Sequence, residues 1–108
     1  MYQRIKNHPE VLAYMARGNH DLNVLGYTDH STVHTELVAE RAAYILRKLG
    51  YSDHEEELAR IAGFMHDIGN AVNRKNHAEY GAILANQILK EEGMALEDRV
   101  VVMSAIGN

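Results

Sequence analysis

From Val33 to Leu49 the apolar residues Val33, Leu37, Val38, Ala42, Ile45, Leu46 and Leu49 recur at three- and four-residue spacing, and Gly50 follows them. That is the period of an α-helix, and no stretch of the chain sets an alternating strand pattern against it. The remaining punctuation is helical too. His8-Pro9 predicts a helix over residues 9–17, with Pro at the first helical position and Gly18 as a left-handed stop. Asp29 or Ser31 is the expected cap of the long helix. Ser52 with Glu55 is a capping box, and Leu58, Ile61, Ala62, Met65 and Ile68 form the next stripe, stopped by Gly69-Asn70. Asn76 and Glu79 predict another capped start, with Tyr80, Ile83, Leu84, Gln87 and Ile88 preceding Gly93. A last helix begins near Glu97-Asp98 and carries Val100, Val101, Met103 and Ile106. Connections of only a few residues favour a compact all-α bundle of about five helices.

At 108 residues the whole chain, 1–108, is expected to be one domain with room for a real core. Apolar residues at 46% and charged residues at 24% are ordinary for a globular protein. A formal net charge of -4 lacks the basic excess that neutralises a phosphate backbone, so extended nucleic-acid binding is not expected. A nucleotide-sized anion stays open. With no Cys, metal ligands must come from His, Asp or Glu, and a reducing compartment fits. Neither a signal peptide nor an apolar run long enough for a membrane span is visible, which reads as a cytoplasmic location with no membrane partner.

Histidines carry the chemical signal. His66 and Asp67 set an imidazole beside a carboxylate at the end of an apolar helix, within Ala62-Gly63-Phe64-Met65-His66-Asp67-Ile68-Gly69-Asn70. Neighbours on a regular helix point about 100° apart, so both can ligate one ion only where the turn relaxes, and Gly69 is expected to permit this. His34 precedes one apolar helix and His77 opens another, so three His-bearing segments can converge on one cavity. His30 and His34 share a face if the helix begins early enough. The zincin motif is excluded, because Ser31 stands where it needs Glu. His8, His20 and His54 read as solvated surface residues, and Glu55-Glu56-Glu57 as a solvated helix start. Tyr44, Met65 and Met103 read as core or rim.

The order His34, then His66-Asp67 in an Ala-x-x-x-His-Asp-Ile-Gly setting, then His77-x-x-x-Gly81 resembles the HD superfamily of metal-dependent phosphohydrolases over about residues 28–108. The resemblance implies an all-helical HD-like domain that holds a divalent ion such as Mn, Mg, Fe, Zn, Ni or Co. Carried over by position, His34, His66 and Asp67 are metal ligands, and His77 matches a His that serves a second metal or the substrate in some branches. Asp67, His77 and His30 would then be the residues around the reaction, with Asp67 bridging where two ions bind. Asn70 departs from the Lys common after the Gly, and nearby Arg74 or Lys75 is expected to contact substrate instead. The family's closing Asp lies well beyond a His77-type position, and Asp98 does not match it. A chain truncated at its C-terminus, with an open ligand position and a tendency to self-associate, is the resulting expectation. The implied reaction is hydrolysis of a phosphoester, a nucleotide or similar small phosphorylated molecule, by metal-activated water. The alternative is a catalytically incomplete regulatory or nucleotide-sensing module.

Overall fold

The structure, a computed structural model, describes the backbone of residues 1–24 and 32–108 and the side chains of residues 1–18 and 33–108. Among the described residues six α-helices follow one another: α1 (Tyr2–Lys6), α2 (Pro9–Val24), α3 (Thr32–Lys48), α4 (Asp53–Met65), α5 (His77–Glu91) and α6 (Leu96–Gly107). A 3-10 turn, Ile68–Ala71, lies between α4 and α5. No strand occurs among the described residues, so the all-α reading holds.

Local signals account for most boundaries. Pro9 opens α2, and the His8 ring caps it by accepting from the Glu10 backbone N–H at 3.1 Å. Ser52 caps α4 through the full capping box with Glu55, and Gly50 and Gly93 take positive φ where α3 and α5 end. Two expectations about α2 and its neighbour need correction. Gly18 does not end α2, which continues to Val24, and α1 has no counterpart in the sequence reading. Gly18 is instead buried against the 3-10 turn, where an added Cβ would lie 3.1 Å from the Asn70 Cβ. The cap expected at Asp29 or Ser31 lies outside the described residues.

Helices α3 and α4 run antiparallel, as a ladder of contacts shows. Arg47 meets Glu56 at 2.9 Å at one end, Arg60 meets Glu40 at 3.2 Å near the middle, and the His34 and His66 rings lie 6.4 Å apart at the other end. Between them Gly63 touches Ala39 so closely that a Cβ on Gly63 would lie 2.9 Å from the Ala39 Cα. A glycine inside a helix costs about 0.5–1 kcal/mol relative to Ala, which close packing must offset. This approach also corrects the expected stripe on α3. The small residues Thr35, Ala39 and Ala43 are buried, whereas Val33, Leu37, Ile45 and Leu49 are exposed, because bulky side chains do not fit so narrow a seam. On α5 the buried face is Gly81, Ala82, Ala85, Ile88 and Leu89, with Tyr80 and Ile83 outside. On α6, Val102 and Ile106 are buried while Val100 and Val101 stay exposed.

The core gathers Phe64, Ile61, Met65, Ile68, Ile88, Leu89 and Val102 around α4, with Ile5 and Val11 from the N-terminal helices. Tyr2 packs edge-on against Phe64 with ring centroids 6.0 Å apart, and burial pushes its hydroxyl up to about 12. Glu56 is buried rather than solvated, since it points toward α3 and is met by Arg47 at 2.9 Å and Arg60 at 4.0 Å. His8 is likewise half-buried, not solvated, with its second ring nitrogen 3.7 Å from Glu92. His54 is exposed as expected and pairs with Asp98 at 3.0 Å, joining the first turns of α4 and α6.

Candidate metal centre

Three of the sequence candidates come together where α3 begins and α4 ends. One ligand atom each from His34, His66 and Asp67 lies within 4.8 Å of the other two, and this is the one such group among the described residues. Two donors on a common ion at about 2.1 Å stand about 3–4 Å apart, so the donor set needs only a small contraction to close on a first-row divalent cation. Two imidazoles and a carboxylate are also the ligand chemistry that such a cation prefers.

The geometry at His66 and Asp67 follows from how α4 stops. His66 still has helical dihedrals, φ -60° and ψ -28°, while Asp67 turns to φ -102° and ψ 4° before the 3-10 turn. That break lets adjacent side chains face one point. The sequence reading assigned the relaxation to Gly69, but Gly69 does not take positive φ. It is glycine because the first turn of α5 lies against it: an added Cβ would overlap the His77 carbonyl oxygen and lie 2.5 Å from the Gly81 nitrogen.

Backbone carbonyls orient both imidazoles beside Asp67. His66 Nδ1 bonds the Gly63 carbonyl, and His77 Nδ1 bonds the Arg74 carbonyl at 3.0 Å. A carbonyl only accepts, so each Nδ1 carries the proton and each Nε2 of a neutral ring bears a lone pair. Both Nε2 atoms face Asp67: His66 at 3.1 Å from Oδ2, and His77 at 3.5 Å from Oδ1. Lone pairs directed at an anionic carboxylate repel unless a cation stands between them, and a proton or a metal ion supplies that charge. Accordingly, the hydrogen bond to Asp67 raises the His66 pKa above its ordinary value, with burial opposing. A ligating His that donates its other N–H to a backbone carbonyl is the usual outer-sphere arrangement of protein metal sites.

The other candidates divide. Arg74 reaches the site through its backbone, while its side chain and that of Lys75 are on the exposed surface. His30 lies outside the described residues. Asn76 occupies the cap position of α5 but makes no side-chain cap bond, and its backbone N–H donates to Asn73 Oδ1 at 3.1 Å. Sequence reasoning missed the Gly63 carbonyl behind His66 and the close seam of Gly63 on Ala39. An unexplained Gly inside a helical stripe was the signal that would have found both.

Among the described residues the fold is all-helical, with two imidazoles and a carboxylate that could hold a metal ion converging at a helix break. The HD domain matches residues 32–105, and the chain belongs to that family. HD domains bind divalent metals, and the superfamily is one of metal-dependent phosphohydrolases. An uncharacterized protein of Methanocaldococcus jannaschii, MJ1020, is 30% identical over 80 residues, covering 61% of this chain and 31% of its own length. The chain thus spans under a third of that relative. No solved structure matches this chain. No described helix is long and apolar enough to cross a membrane.

Proposed function

We propose that this domain hydrolyses a phosphoester of a small molecule, a nucleotide or similar phosphorylated metabolite, with a divalent ion held by His34, His66 and Asp67. The observation that carries the reading is the convergence of these three donors, with the His66 ring backed by a carbonyl. When bound, such an ion lowers the pKa of water toward neutrality and offsets charge on the attacked phosphate. Asp67 faces the carbonyl-held His66 and His77 rings with its two oxygens and, being anionic, adds attraction for the cation. His77 stands on the far side of Asp67, where its Nε2 lone pair suits a second ion or a proton on the reacting phosphate. Were a second ion to bind, Asp67 and His77 would be the residues to hold it. Arg74 and Lys75, following the 3-10 turn, are the cations proposed to meet substrate phosphate in place of the Lys that Asn70 replaces.

A three-member donor set also suits a sensing module that binds a nucleotide without turnover. One experiment tests both readings. The protein is loaded with Mn²⁺ and assayed against nucleotides and generic phosphoesters, with binding measured in parallel. Hydrolysis lost in His66→Ala and Asp67→Ala but retained in His54→Ala supports the enzyme. Binding without turnover selects the sensor, and turnover unchanged in Asp67→Ala contradicts the assignment.

A further inference from the structure

The 3-10 turn that follows Asp67 is held from two sides, α2 and α5, and a glycine stands at the contact on each. On one side Gly18 of α2 is buried against Asn70 and Ala71, with an added Cβ 3.1 Å from the Asn70 Cβ and 3.6 Å from the Ala71 nitrogen. On the other, Gly69 lies against the His77 carbonyl and the Gly81 nitrogen, leaving no room for a Cβ. Gly81 borders the same contact: its own Cβ would lie tightly, 3.3 Å, against Ile106 Cγ2 and at ordinary contact with the Gly69 nitrogen at 3.4 Å and the His66 carbonyl oxygen at 3.5 Å. Two of these glycines stand inside helices, where each is costly relative to Ala. Neither takes positive φ, so backbone conformation does not demand glycine there. Close approach does.

We propose that Gly18, Gly69 and Gly81 act together as a positioning clamp, pressing the 3-10 turn between α2 and α5 so that Asp67 stands at a fixed distance from His77. The inference rests on the metal reading of His34, His66 and Asp67 only for its effect on binding; the clamp itself is a statement about distances. Gly63 plays the corresponding part on the other arm, since its seam on Ala39 sets the spacing of α3 from α4 and hence of His34 from His66. Substitutions in the two places therefore have different signatures. An added methyl at Gly81, on the α5 side, moves His77 and Asp67 apart, whereas one at Gly18, on the α2 side, presses Asp67 toward His77; both leave the His34–His66 spacing unchanged. An added methyl at Gly63 changes the His34–His66 spacing and leaves that of His77 and Asp67. Gly107→Ala is the neutral control, because its Cβ meets only the Ala82 Cβ at an ordinary 3.7 Å.

The test measures crystal structures, thermal unfolding and Zn²⁺ affinity for the wild type and the Gly18→Ala, Gly69→Ala, Gly81→Ala, Gly63→Ala and Gly107→Ala variants of the whole chain. Lengthening of the 3.5 Å separation of His77 Nε2 from Asp67 Oδ1 in metal-free Gly81→Ala, with the 6.4 Å His34–His66 spacing kept, supports the clamp. So does a Zn²⁺ affinity about tenfold weaker at an unfolding temperature near that of Gly107→Ala, as loss of support behind a ligand commonly gives. An unchanged His77–Asp67 separation in Gly81→Ala and Gly18→Ala overturns it. Zn²⁺ affinity that merely follows unfolding temperature across all variants also overturns it. Should Gly69→Ala fail to fold, the two milder variants carry the decision. A wild type that takes up no Zn²⁺ contradicts the metal reading, and the metal-free distances still judge the clamp.

Discussion

His66 concentrates the chemistry of the site in one ring. Its Nδ1 is committed to the Gly63 carbonyl and its Nε2 to Asp67, so protons and divalent cations compete for the same lone pair. In the metal-free protein the His66 pKa is raised, chiefly by the Asp67 hydrogen bond. A raised folded pKa contributes stability that is fully present below the unfolded value of about 6.5 and is lost as pH rises through the folded value. Thermal unfolding of the metal-free protein should therefore show this stabilisation fading upward from about pH 6.5, and Asp67→Asn should flatten the profile. With Mn²⁺ present the dependence reverses: apparent affinity falls as pH drops through the same window, because His66 must lose its proton to ligate. An affinity independent of pH between 5 and 8 would contradict the role of His66. Glu56 makes a separate residue-scale case. Glu56→Ala should cost about 1–3 kcal/mol in urea unfolding, since a buried carboxylate with two Arg partners is lost, though exposed Arg47 can turn to water.

Helix α4 shows which parts of an element the sequence reveals. Its start was legible from Ser52 and Glu55 alone, because a capping box is a local device, and Ser52→Ala should destabilise the protein by about 1 kcal/mol in denaturant melts. Its end was legible as the place where His66 and Asp67 can share a target, but for a different cause than expected. The relaxation occurs at Asp67 itself, and Gly69 serves a contact with α5 that no local pattern encodes. The same distinction explains α2 and α3. Gly18 reads as a helix stop by propensity, yet packing against the 3-10 turn overrides that preference. The stripe of Val33, Leu37, Ile45 and Leu49 has helical spacing but not helical burial, because the seam selects small residues at Thr35, Ala39 and Ala43. Periodicity gave the type and number of the longer helices, whereas which face is buried depended on inter-helix distance.

At the scale of the molecule the core and the site share one element. Phe64 is 1% exposed and lies two residues before His66, so α4 carries both the packing and the ligands. Phe64→Ala should cost about 3–5 kcal/mol and weaken metal binding through displacement of α4, without touching a ligand. Conversely, a bound ion that ties α3, α4 and the 3-10 turn together should stabilise the whole domain. At a hundredfold excess over its dissociation constant the gain is about 2.7 kcal/mol, an upward shift of about 10 °C or more for a chain of this size. The same addition should leave the unfolding temperature of Asp67→Ala nearly unchanged. The most direct measurement of the central claim is anomalous diffraction from crystals grown with Mn²⁺. The account requires a single strong peak within about 2.0–2.3 Å of nitrogens of His34 and His66 and an oxygen of Asp67, with any second peak on the Asp67–His77 side. A peak elsewhere, or none at Mn²⁺ concentrations that raise the unfolding temperature, would contradict it.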